Sequence, residues 1–169
     1  MNTWLSSVLL VDDDSNDVFF MKRAFKEVNI STPLMVAQDG QEAIEYLSGA
    51  GRFADRLLHP LPCFLILDLK MPRKTGLDVL KWLREQPVFR CLPVMIFSSS
   101  AHRYDVERAY QFGANSFVVK PGSVEQRTDL ARFIKDFWLQ TNQPPLMCTE
   151  GIDVARQFHA NGELGTPVL

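Results

Sequence analysis

Asp68 closes the apolar run Leu65-Ile66-Leu67, and Pro72, four residues on, keeps a helix from starting at once. A strand apolar on both faces delivers such a carboxylate to the rim of a sheet, where it is costly to desolvate unless something compensates it. Polar groups stand at the ends of other apolar runs too. Val8-Leu9-Leu10-Val11 leads into Asp12 and Asp13, Val94-Met95-Ile96-Phe97 into Ser98, and Ser116-Phe117-Val118-Val119 into Lys120. Three carboxylates brought together repel by about 4 kcal/mol per pair at ~4 Å and an effective dielectric of about 20. Protonation or a cation must relieve that. Oxygen donors without clustered His or Cys call for a hard ion, Mg²⁺ (or Mn²⁺) rather than Ca²⁺, because so few carboxylates leave coordination positions for water and a phosphoryl oxygen. A divalent cation, an ammonium and a hydroxyl around one carboxylate form a clamp for phosphoryl oxygens. Asp68 is then a nucleophile that becomes an aspartyl phosphate, with Asp12 and Asp13 on the metal.

Singly, each group has a plainer reading: an acidic capping turn for residues 12–14, a solvated loop lysine for Lys120, a strand-to-helix turn for residues 98–100. Their joint placement carries the argument, and that placement depends on the elements between them. Helical spacing follows the first run, with Val18, Met21, Phe25 and Val28 on one face and Asp14 or Ser15 as N-cap. Pro33-Leu34-Met35-Val36-Ala37 reads as a second strand, leading to a short helix with Ala43, Ile44 and Leu47. Its end offers nothing as sharp as the others. Residues 48–62 form an extended connection, and a helix with Leu77, Leu80 and Leu83 inward follows Gly76. A helix with Val106, Ala109 and Tyr110 ends at Gly113. The last helix carries Leu130, Phe133, Ile134, Phe137 and Trp138 at i, i+3, i+4, i+7 and i+8. Five strands alternating with five helices predict an α/β domain with a parallel sheet covered on both faces. All strand ends then share one rim, where open α/β sheets bind ligands.

With 169 residues the chain suits one domain with a small appendage. A net charge of −2 leaves no electrostatic footprint for nucleic acid or anionic lipid. Cys63, Cys91 and Cys148 are odd in number and form no C-x-x-C pair, so they read as reduced thiols of a cytoplasmic protein. No basic segment precedes the first apolar run, and no apolar stretch approaches a membrane span, so no signal peptide and no membrane association are expected.

The set resembles the receiver domain of bacterial two-component response regulators, over about residues 5 to 140. That family's pattern is an acidic pair after the first strand, a phosphorylatable Asp after the third, Ser or Thr after the fourth and Lys-Pro after the fifth. Asp12-Asp13, Asp68 with Met71-Pro72 and Gly76, Ser98, and Lys120-Pro121 fill those positions in order. The resemblance implies a flavodoxin-like doubly wound sheet of order 2-1-3-4-5. It also implies a histidine kinase as phosphoryl donor, Asp68 as acceptor, the Lys70 backbone carbonyl as a further metal ligand, and a cis Lys120–Pro121 bond. The Ser98 hydroxyl would be drawn toward the phosphoryl group and Phe117 would turn inward, altering the face of helix four, strand five and helix five. Ser99 is small, as in the family, and with Ser100 and Lys70 it is expected to tune the site.

The long connection before the third strand, with Gly49, Arg52-Phe53 and Pro60-Leu61-Pro62, resembles regulators that pair with bacterial phytochromes. Such relatives imply a homodimer through the helix-four to helix-five face, with Phe137 and Trp138 as candidate contacts. The loop after Asp68 departs from the pattern in being basic, with Lys70, Arg73 and Lys74; Lys70 is expected to reach the phosphoryl oxygens and alter the lifetime of the aspartyl phosphate. The domain is expected over residues 1–141, with 142–169 a tail too short and acidic to be a DNA-reading output domain. His59, His102 and His159 suggest no metal site. The expected role is a phospho-switch that signals by protein contact to a downstream target rather than a turnover enzyme. Two other readings are an interaction module that does not cycle phosphate and an aspartyl-phosphate phosphatase of the haloacid-dehalogenase type. Lys70 stands where that phosphatase needs a second Asp.

Overall fold

The computed structural model describes residues 7–143, so most of the expected tail lies outside the described residues. Five strands, β1 (Ser7–Val11), β2 (Leu34–Ala37), β3 (Pro62–Leu67), β4 (Val94–Ser98) and β5 (Ser116–Val119), form one parallel sheet of order β2-β1-β3-β4-β5. The helices are α1 (Ser15–Glu27), α2 (Gly40–Ser48), α3 (Gly76–Glu85), α4 (Arg103–Gln111) and α5 (Val124–Phe133). This is the parallel α/β sheet that the strand and helix alternation predicts, in the flavodoxin-like doubly wound order that the receiver-domain resemblance implies. β1, β3 and β4 are predominantly apolar because they are the inner strands, covered on both faces, and only β1 and β4 are buried along their whole length. Leu9, Val11, Leu65, Leu67 and Ile96 pack toward one side with α2 and α3, and Val8, Leu10, Ile66, Met95 and Phe97 toward the other with α1 and α5.

The ladder runs one rung past three strands, and that rung sets the rim. Asp12 N–H donates to the Ala37 carbonyl (3.1 Å), Asp68 N–H to Val11 (3.0 Å) and Lys120 N–H to Ser98 (2.9 Å). Asp14 caps α1 by accepting from Asn16 N–H, Thr75 and Asp78 form a reciprocal capping box on α3, and Ser123 caps α5.

Three expectations change. The Lys120–Pro121 bond is trans, and no cis peptide bond occurs among the described residues; trans is the intrinsic preference of X–Pro bonds by about 0.5–1 kcal/mol. Phe133 and Phe137 are exposed and stack on each other, while Ile134 is buried and Trp138 stacks on Phe64. The inward stripe is narrower than the periodicity implies, because α5 passes into a π-helical segment, Ile134–Thr141, that turns in wider steps. Tyr110 likewise faces outward, leaving Ala109 as the buried residue of α4.

The connection before β3 is anchored rather than loose. The Arg56 guanidinium donates to the carbonyls of Tyr46 and Leu47 at the end of α2 (2.7 Å each) and more weakly to His59 (3.3 Å). The Tyr46 hydroxyl donates to the Pro60 carbonyl at 2.7 Å, and Phe53 is buried against the Tyr46 and His59 rings.

Two glycines hold the loop between β3 and α3. A Cβ on Gly76 would stand 2.0 Å from the Asp68 carbonyl oxygen, and one on Gly40 would stand 2.4 Å from that of Lys74. Gly76→Ala should therefore lower stability by about 2 kcal/mol, as overpacking does. Urea unfolding measures this; an unchanged midpoint would mean that the loop yields freely.

Candidate functional site

The rim brings together Asp12, Asp13, Asp68 and Lys120, as the strand ends predict. Asp12 and Asp68 are buried, while Asp13 is exposed. Asp68 Oδ1 accepts from Leu69 N–H at 2.6 Å, and Lys70 N–H lies 3.5 Å away. Its Oδ2 accepts from Lys120 Nζ at 3.0 Å. Asp12 Oδ1 accepts from Asp14 N–H at 3.0 Å; its Oδ2 sits 2.8 Å from Lys120 Nζ as an ion contact without the alignment of a hydrogen bond. Burial would lower the pKa of Lys120, but its carboxylate partners, Asp12, Asp17 and Asp68, hold it well above the ordinary lysine range.

Asp17, in the first turn of α1, is the residue that sequence reasoning missed. Its Oδ2 lies 2.8 Å from Lys120 Nζ, and its Oδ1 lies 2.7 Å from Arg127 Nη2 on α5. Burial would raise its carboxyl, but hydrogen bonds from Lys120 and then Arg127 hold it below the usual range. Any acidic residue in a first helical turn is ordinarily explained by the helix dipole, so nothing local marks it.

Asp12, Asp13 and Asp68 each offer an oxygen within 4.8 Å of the others, the only such group of metal-ligating side chains among the described residues. With Asp17, four carboxylates face Lys120 and Arg127, leaving a formal excess of two negative charges when all are ionised. The buried Asp12 oxygen without a hydrogen bond and this excess both fit a divalent cation held by oxygen ligands.

Burial pushes the Asp12 carboxyl from 3.8 up to about 6, against the pull of Lys120. The folded state thus binds more protons than the unfolded one between those values. Stability from this group falls as pH rises through that window, and above it the full cost of holding Asp12 ionised is present. A cation relieves that cost only where Asp12 is ionised. The rise in Tm on adding Mg²⁺ should be larger at about pH 7.5 than at about pH 5. Thermal melts at both pH values measure it, and equal rises would remove Asp12 from the cation site.

The remaining positions divide. Ser98 is buried, and its Oγ accepts from Ser100 N–H at 3.3 Å. Ser99 is exposed, while the buried Ser100 hydroxyl donates to Asp105 and so organises the start of α4. Phe117 is half-buried on β5, against the α2–α3 side of the core. Lys70 is exposed. The basic loop residue that finds a partner is Arg73, in a left-handed conformation (φ 63°), which pairs with the buried Asp39 carboxylate. Asp39, just past β2, also caps α2 through Gln41 and Glu42 N–H. Strand two therefore does end on a structured carboxylate, one committed to bracing the loop behind Asp68.

Residues 8–132 match the family described as "Response regulator receiver domain". Among solved structures, response regulator RPA3017 in red light signalling of R. palustris is 33% identical, with a TM-score of 0.78 over 83% of this chain and 99% of that one. A phosphorylated cyanobacterial phytochrome response regulator, RcpA, is 28% identical (TM-score 0.75; 83% and 98% covered). The Mn²⁺-bound form of response regulator Rcp1 is 27% identical (TM-score 0.74; 83% and 99% covered). A curated relative, the probable methanogenesis regulatory protein FilR2 of Methanothrix harundinacea, is 31% identical over 82% of this chain and 86% of its own.

Proposed function

The chain belongs to the response regulator receiver domain family, and on that premise we propose that Asp68 accepts a phosphoryl group from a histidine kinase and that the altered surface signals by protein contact. The observation that carries this is the placement of the Lys120 ammonium 3.0 Å from Asp68 Oδ2, beside three carboxylates able to share one cation. An Asp68 oxygen forms the bond to phosphorus as the bond to the donor breaks, its electron pair leaving with the donor. Asp12, Asp13, Asp68 and the Lys70 carbonyl would hold Mg²⁺ or Mn²⁺, which supplies charge neutralisation at the phosphoryl oxygens. Lys120 and the Ser98 hydroxyl bind oxygens of the transferred group.

Movement of Ser98 toward that group would leave room for Phe117 to turn inward, changing the α4–β5–α5 surface. Tyr104, Tyr110, Val119, Phe133 and Phe137 are exposed on or next to those elements, which supports their use for a downstream protein or a second copy. A phytochrome-type sensor is the kinase class favoured by the RcpA likeness together with the long, anchored connection before β3. The setting that suits this reading is the cytoplasm; no helix of the described residues is long and apolar enough to cross a membrane.

Incubation with acetyl phosphate and Mg²⁺, followed by intact-mass measurement, tests the reading. One added phosphoryl group, lost when EDTA replaces Mg²⁺, is the expected result. No mass gain would favour an inert interaction module, and turnover of phosphate monoesters would favour a phosphatase.

A further inference from the structure

Lys120 is already surrounded by negative charge. Its ammonium has three N–H donors, and three carboxylate oxygens lie around it: Asp12 Oδ2 and Asp17 Oδ2 at 2.8 Å, and Asp68 Oδ2 at 3.0 Å. A phosphoryl group on Asp68 brings further negative charge and new acceptor oxygens to the same place. To bind them, Lys120 must give up a partner. Asp12 and Asp68 belong to the group able to share a cation, but Asp17 does not. Asp17 is therefore the partner in direct competition with the phosphoryl oxygens.

Asp17 has a second cation to fall back on. Arg127 reaches across from α5 with Nη2 at 2.7 Å from Asp17 Oδ1, packs over the Phe20 and Phe97 rings, and leaves its buried Nη1 without a hydrogen-bond partner. The firmness of the Arg127–Asp17 pair sets how readily Asp17 releases Lys120. We propose that Asp17 is a positioning residue that holds Lys120 back from a phosphoryl group on Asp68, with Arg127 as the counterweight that lowers its hold. This rests on the phosphoacceptor reading above.

The inference predicts effects of opposite sign from the two halves of one ion pair. Fluoroberyllate, formed from beryllium chloride and excess fluoride, is a tetrahedral phosphoryl mimic, and its binding in the presence of Mg²⁺ can be titrated by calorimetry on the full chain. Asp17→Asn should bind it roughly three- to tenfold more tightly than wild type, the scale of coupling between neighbouring charged groups. Arg127→Gln should bind it more weakly, because Asp17 then has only Lys120 to compensate its charge. In the double variant the effect of Arg127→Gln should vanish, since there is no carboxylate left to strengthen. A merely structural ion pair would weaken binding from either side. Asp17→Ser, which removes the charge with a smaller side chain, carries the same expectation if Asp17→Asn folds poorly; melting curves report folding. Failure of wild type to bind fluoroberyllate overturns the phosphoacceptor reading along with this inference. Wild-type binding that Asp17→Asn and Asp17→Ser leave unchanged or weaken overturns this inference alone, and a full Arg127→Gln effect in the double variant removes Arg127 from it.

Discussion

Asp68→Asn should take up no phosphoryl group from acetyl phosphate under conditions that load the wild type, while remaining folded. The amide is too weak a nucleophile to form the acyl phosphate. Its one amide oxygen can keep one of the two contacts of Asp68, either that from Leu69 N–H to Oδ1 or that from Lys120 Nζ to Oδ2, because the amide NH2 is a donor. One member of a mutually repelling carboxylate set is neutralised, so the metal-free variant should melt no lower than the wild type. Its Tm should rise less on adding Mg²⁺, because one anionic ligand has gone. Intact mass and thermal melts together decide the matter. A phosphoryl adduct on a well-folded Asp68→Asn variant would move the acceptor to another residue and overturn the assignment.

Lys120→Met tests the same rim from the opposite charge. The Lys120 side chain is 9% exposed, and those of Asp12, Asp17 and Asp68 are 0%, 14% and 7% exposed, so water screens this cluster poorly. Removing one partner from a buried ion cluster costs about 3–5 kcal/mol, because the remaining charges stay desolvated without compensation. Here three carboxylates would share Arg127 as their remaining cation among the described residues, through Asp17. Denaturant unfolding in EDTA should show that loss, and Mg²⁺ should restore a larger part of it than it adds to the wild type. Wild-type stability in EDTA would mean that the carboxylates already carry protons in place of the lysine.

The rim was legible because its residues terminate inner strands. Val8-Leu9-Leu10-Val11 and Leu65-Ile66-Leu67 are apolar on both faces, so the change to Asp12 or Asp68 stands out against them. The shared direction of parallel strands then places the ends together without knowledge of the strand order. Lys120 ends β5, an edge strand, and is placed by that shared direction alone, even though its partners come from β1, β3 and α1. Asp17 does not. It sits in a helical turn where an acidic side chain has a sufficient local explanation, and the ammonium and guanidinium it joins come from β5 and α5. Asp39 was hidden for a similar reason: it follows a short edge strand and already has a role as the α2 N-cap. Arg73, its partner, stood only as one charge of a basic loop, because nothing in the order of residues reveals that the loop behind Asp68 presses against α2. Phe133 and Phe137 show the complementary failure. Their spacing fits an inward stripe, but width and pitch depend on tertiary packing, and the passage into a π-helical segment leaves both rings outside.

The anchored connection before β3 bears on how this fold accepts change. Arg56 closes the end of α2, and Tyr46 pins the chain at Pro60 just before the strand that delivers Asp68. Leu57 and Leu58, between those fixings, are 74% and 67% exposed. Lengthening a loop whose ends are already fastened costs little, about 0.6 kcal/mol per doubling. A tag or peptide insert between Leu57 and Leu58 would hang from the domain while its fixings kept β3 in register. That position is a natural attachment point for a reporter that leaves the rim untouched.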